Sequence, residues 1–72
     1  MKNPINVPQL ITLLMIFGES ESPKRKASLN ELLVILINYP NETMTYEEVE
    51  KSEQMTARHK TWIRQIVLFR LV

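Results

Sequence analysis

Seven of the eight residues from Leu10 to Phe17 are apolar, in a chain of 72 residues without a cysteine. Spread over about 100° per residue, Leu10, Ile11, Leu13, Leu14, Met15, Ile16 and Phe17 go nearly all the way round a helix. Such a helix has to be covered on more than one side. A chain this short buries only about 60% of the surface its unfolded form exposes. Without disulfides, its usual reinforcement is a partner. The sequence therefore predicts a single domain over residues 1–72 that pairs as a homodimer. Residues 1–18 are the expected dimerisation segment, through Leu10, Ile11, Leu13, Leu14 and Phe17.

Other routes to stability or chemistry are poorly supplied. With one histidine, no cysteine and no aspartate, a dedicated metal site is not expected, and no cofactor is implied. The serines have no base beside them, and the glutamates show no catalytic pairing, so an enzyme is not expected. The apolar run from Ile5 to Phe17 falls short of the ~20 residues a spanning helix needs. It also lacks a small-residue cleavage pattern. Met1 opens the sequence and no tag is visible, so a whole chain, cytoplasmic and without a membrane partner, is expected.

Local signals predict four helices. The first runs from about Pro8 to Phe17, with Gly18 as its stop. Residues 19–27, broken by Pro23, read as a charged loop. Ser28 and Glu31 have the spacing of a capping box, so a second helix is expected over Leu29–Asn38, ending at Tyr39-Pro40-Asn41. Thr45 and Glu48 repeat the box ahead of a third helix, Tyr46–Glu53. Thr56 is the expected N-cap of a fourth, from Ala57 to about Leu68. The closing stretch Val67–Val72 also reads as a short strand. The expected fold class is all-α with at most a minor short strand.

Charge is sorted sharply along this plan. Residues 29–54 carry six glutamates against Lys51, while residues 55–72 carry Arg58, Lys60, Arg64 and Arg70 and no acid. Lys24, Arg25 and Lys26 form a second basic block. On a helical wheel with Ala57 at zero, Lys60, Thr61 and Arg64 fall within about 60°, with Arg58 and Gln65 a little further round. His59, Trp62, Ile63 and Ile66 lie opposite, with Val67 and Phe69 at the margins. Leu68 would point outward. Arginine and lysine neutralise phosphates or reach guanine edges, glutamine pairs with adenine, and threonine touches a thymine methyl or a phosphate. Against this, a basic helical face is often only a solvated one. Three features favour DNA: the absence of acid within the helix, the presence of Thr and Gln, and the short helix joined ahead of it by a tight turn. The acid of that preceding helix is expected to face away from phosphate. His59 and Trp62 are expected in the core, rather than as a pH sensor and a DNA wedge. Lys24, Arg25 and Lys26 are expected either to grip phosphate from a mobile arm or to be a solvated connector.

The stretch from Leu29 to Val72 resembles the winged-helix DNA-binding core of MarR-type bacterial regulators. The matching positions are Leu32–Pro40, Thr45–Val49, Thr56–Ile66 and Phe69–Val72. The resemblance implies a leucine-rich helix ending at a Tyr-Pro turn, a short Thr-led strand and helix, and a Ser/Thr-capped recognition helix. It would make Ala57, Arg58, Lys60, Thr61 and Arg64 face the groove, and would place Ile63, Ile66 and Phe69 in the core. Arg70 stands where the family has glycine before its final Leu-Val. The family's wing and C-terminal dimerisation helices have no counterpart, so a four-helix, winged-helix-like helix-turn-helix domain without a full wing is expected.

The function expected from these features is sequence-specific binding of double-stranded DNA by a transcriptional regulator. The role implied is repression, in a plasmid, phage or other bacterial mobile element. Residues 28–72 are the expected DNA-binding core. Thr56, Ala57, Arg58, Lys60, Thr61, Arg64 and Gln65 are the expected contacts, with Lys24, Arg25 and Lys26 on phosphate. The alternative is a small helical adaptor that binds another protein, such as a component of the transcription machinery.

Overall fold

The structure, a computed structural model, describes residues 4–70, with side chains as far as Val67. Strand β1 (Ile5–Asn6) leads into helix α1 (Val7–Gly18), and helix α2 (Pro23–Ile37) follows. Strand β2 (Thr43–Met44), helix α3 (Tyr46–Lys51) and helix α4 (Ala57–Arg70) complete the order. The domain is mostly helical, with one two-stranded antiparallel sheet.

That sheet agrees in part with expectation: a short Thr-led strand ahead of the third helix is implied by the resemblance, while its partner β1 is not expected. Ile5 pairs with Met44 and Asn6 with Thr43, and the Val7 N–H extends the pairing to the Glu42 carbonyl at 2.8 Å. Ile5 and Met44 are both buried, so the ladder contributes a residue from each strand to the core. The strand considered at the C-terminus is helix instead as far as Arg70, while Leu71 and Val72 lie outside the described residues. So do the side chains of Leu68 and Phe69, and with them the expectations placed on those two.

The helix starts follow from their caps. At α1, Asn6 Oδ1 accepts from the Gln9 N–H at 2.9 Å, with proline in the first turn. At α2, Ser22 Oγ accepts from the Arg25 N–H at 3.4 Å, and Pro23 is the first helical residue. Proline is well suited to that position, because its missing N–H would have had no partner and its φ is already helical. Residues 23–27 are therefore helix rather than loop, and Ser28 and Glu31 lie inside α2 rather than capping it. The box at α3 is present in full. The Glu48 N–H donates to Thr45 Oγ1 at 3.1 Å, and the Thr45 N–H donates to Glu48 Oε1 at 3.1 Å. Tyr39 donates its hydroxyl to the other oxygen of Glu48, tying the end of α2 to the first turn of α3. The third helix ends at Lys51, two residues short of its expected end.

Helices α1 and α2 pack against each other, and both pack on α4. The core takes Leu10 and Leu14 from α1, Leu29, Leu32 and Leu36 from α2, Val49 from α3, and Ile63, Ile66 and Val67 from α4. Gly18 permits the close crossing at the end of α1. A Cβ built there would stand 2.1 Å from a methyl of Leu29, well inside van der Waals contact.

The dimerisation set must be divided. Leu10 and Leu14 are 0% and 1% exposed, so they are interior to one chain and unavailable to a second. Ile11 and Leu13 pack at the edge of the core. Phe17 is exposed, and so are Met15 and Ile16. The chain closes a core of its own because α2 and α4 both pack on α1. Its Cα radius of gyration, 11.4 Å, matches the roughly 11 Å expected of a packed chain of this length.

Candidate nucleic-acid interface

The N-terminus of α4 is anchored by a buried histidine. Thr56 is its cap: Thr56 Oγ1 accepts from the His59 N–H at 3.2 Å. In return, the Thr56 N–H donates to His59 Nδ1 at 3.1 Å. This is the reciprocal logic of a capping box with histidine in the place of Glu or Gln. Because Nδ1 accepts, the ring's proton sits on Nε2. From there it faces the Ser28 carbonyl of α2 at 2.8 Å, with Ser28 Oγ at 3.3 Å. His59 is 1% exposed and meets Trp62 with ring centroids 6.2 Å apart. One side chain thus caps α4 and fastens it to α2. The expectation that His59 and Trp62 turn inward agrees with this packing: His59 is buried and Trp62 half-buried.

With that side held in the core, the opposite side of α4 faces outward. Ala57, Arg58, Thr61, Arg64 and Gln65 are exposed, and Lys60 is partly so. Ile63, Ile66 and Val67 are buried. Thr61 donates its hydroxyl to the Ala57 carbonyl at 2.9 Å; its oxygen can still accept. The structure therefore places the predicted contact residues of α4 on one exposed side.

One acid of α3, Glu50, does not turn away from them, while Glu48 is engaged by Thr45 and Tyr39. Glu50 forms a two-pronged pair with Arg64, whose Nε donates to Oε1 at 2.9 Å and Nη2 to Oε2 at 3.3 Å. Lys60 Nζ donates to the Glu50 carbonyl at 2.8 Å. The short connection after Lys51 brings the last turn of α3 against α4, and Arg64 and Lys60 draw Glu50 towards the basic side. Its carboxyl is held below the ordinary 4.5, chiefly by the hydrogen bond from Arg64. Burial opposes this, and the charges of Arg64 and Lys60 add to it. Glu50 is the site residue that sequence reading missed. The usable signal was an acid at the end of a short helix, separated by one tight turn from cations on the next.

Lys24, Arg25 and Lys26 lie in the first turn of α2 and are exposed. They are held on a helix rather than on a mobile arm. Arg25 pairs with Glu21 at 3.4 Å. Glu21 lines a groove of about 490 Å³ together with Phe17, Trp62, Gln65 and Ile66, so the turn ahead of α2 borders α4.

No group of three or more His, Cys, Asp or Glu among the described residues could hold a metal ion. No helix among them is long and apolar enough to cross a membrane. No protein-family model, curated protein or solved structure matches the chain.

Proposed function

We propose that the chain binds double-stranded DNA through the exposed side of α4, with α3 and α4 acting as a helix-turn-helix and α4 lying in the major groove. One observation carries the reading. Arg58, Lys60, Thr61, Arg64 and Gln65 share one exposed side of a helix that contains no acid, and His59 locks that helix's N-terminus to the core. Recognition helices contact base edges mainly through their N-terminal residues, which here are capped and fixed. Thr56 and Ala57 stand at that end. Lys24, Arg25 and Lys26, exposed in the first turn of α2, are the phosphate contacts. The order of short strand, short helix, tight turn and longer helix from Thr43 to Arg70 supports kinship with the MarR-type core. Repression by a homodimer on a palindromic site is the role that fits.

The test is fluorescence anisotropy with duplexes enriched by the protein from a pool of random sequence. Affinity should fall steeply with salt, by about 0.9 on the log–log slope for each phosphate neutralised. Failure to enrich any duplex would end this reading.

A second reading has its own support. The groove between α1, α2 and α4 is lined by Leu14, Phe17, Leu29, Trp62 and Ile66, an apolar surface suited to another protein's side chain. An adaptor of that kind would bind its partner with little dependence on salt.

A further inference from the structure

We infer that Glu50 is a positioning residue for Arg64, making its guanidinium a reader of a base rather than a clamp on phosphate. The inference rests on the DNA-binding reading above. Glu50 engages the Nε and Nη2 edge of Arg64 with both carboxylate oxygens, at 2.9 and 3.3 Å. A guanidinium has five N–H donors in a fixed fork. With that edge occupied, the end formed by Nη1 and the second hydrogen of Nη2 points away from Glu50. This end presents two donors at the spacing that guanine O6 and N7 accept. The same residue's carbonyl holds Lys60 Nζ at 2.8 Å. Of the three cations of α4 whose side chains are described, Glu50 therefore restrains two, and Arg58 is the third.

The electrostatics point the same way. Phosphate attracts any cation regardless of sequence, and that attraction supplies non-specific binding. A carboxylate against Arg64 offsets its charge and weakens the pull of phosphate. It leaves the directional fork intact, so the balance shifts from non-specific towards specific contact. An ordinary surface ion pair would have no such orientation to preserve, and substituting it would change affinity for all duplexes alike.

The experiment compares wild type, Glu50→Gln, Glu50→Asp, Arg64→Ala and the double variant Glu50→Gln/Arg64→Ala. The probes are the duplex enriched by wild type and a scrambled duplex of equal composition, each measured over a range of salt. Thermal melting confirms that each variant is folded. Glu50→Gln should bind the scrambled duplex on the order of 3- to 10-fold more tightly and steepen its salt slope by about one. It should also lower the ratio of specific to non-specific affinity. Glu50→Asp keeps the charge but is too short for the two-pronged pair. It should leave scrambled binding near wild type and weaken the enriched duplex. In the Arg64→Ala background, Glu50→Gln should no longer change the ratio. An unchanged ratio in Glu50→Gln, with wild type binding normally, overturns the inference alone. An equal effect with and without Arg64 also overturns it, since Glu50 would then act only as a charge. If wild type enriches no duplex, the DNA-binding reading and this inference fall together.

Discussion

At the residue scale, two side chains bear most of the organisation around α4. Glu50 has its carboxyl held below 4.5 by Arg64. A carboxylate whose folded value is depressed contributes stability above the unfolded value and loses it as pH falls through the folded one. The contribution of this pair is therefore full at neutral pH and lost from about pH 4.5 downwards. The pair is about half exposed, so its share of stability is slight, because water screens it. The titration itself is the clearer measurement. Carbon-detected NMR of the Glu50 carboxyl should give a midpoint below 4.5 in wild type, moving upward in Arg64→Ala. An identical midpoint in both would mean that Arg64 is not its partner in solution. His59 is tested differently. His59→Phe keeps a ring but leaves the Thr56 N–H without its acceptor, and a group stranded in this way costs about 1–3 kcal/mol. His59→Gln should recover part of that loss, because glutamine completes a capping box. Denaturant melts should rank wild type above Gln and Gln above Phe.

At the scale of elements, the sequence was most legible where a cap and a periodic face agreed. Thr45 with Glu48, and Thr56 ahead of Ala57, mark the starts of α3 and α4, and the wheel of α4 separates His59, Ile63 and Ile66 from Arg58, Thr61 and Arg64. It was least legible at α2. Ser28 and Glu31 carry a box pattern, but Ser22-Pro23 is the true start, where proline initiates the helix rather than breaking it. Strands of two residues have no periodicity to detect, so β1 leaves no mark in the sequence, and a short Thr-led strand in the place of β2 is implied by the family resemblance alone. The place of Glu50 beside Arg64 is not legible from a wheel, which describes one helix and cannot show what the neighbouring helix brings to it. The true start of α2 has a consequence for charge. Lys24, Arg25 and Lys26 occupy its first turn, without an acid among them, where the helix dipole disfavours cations. Lys24→Glu should raise stability by about 0.3–1 kcal/mol while weakening binding to every duplex alike, since phosphate contacts do not specify sequence. A variant that gains stability and keeps wild-type affinity would remove this block from the interface.

At the scale of the whole molecule, the question is what the chain does with the apolar surface it leaves outside. Leu10 and Leu14 are consumed by its own core, yet Met15 and Ile16 stand 58% and 59% exposed on the other side of α1. Burying one such side chain is worth roughly 1.5–3 kcal/mol, enough to reward a two-fold contact between α1 helices. Such a contact would suit a palindromic site with half-sites about 34 Å apart. The two sides of α1 then make opposite predictions. Leu14→Glu places a charge in the core and should unfold the chain outright. Ile16→Glu should leave the helical circular dichroism intact, convert a dimer to a monomer in sedimentation at micromolar concentration, and weaken binding to a palindrome far more than to a single half-site. If wild type is monomeric and binds a palindrome no more tightly than a half-site, α1 is a helix of the core only. One chain on one half-site would then be the binding unit, with Met15 and Ile16 as surface residues.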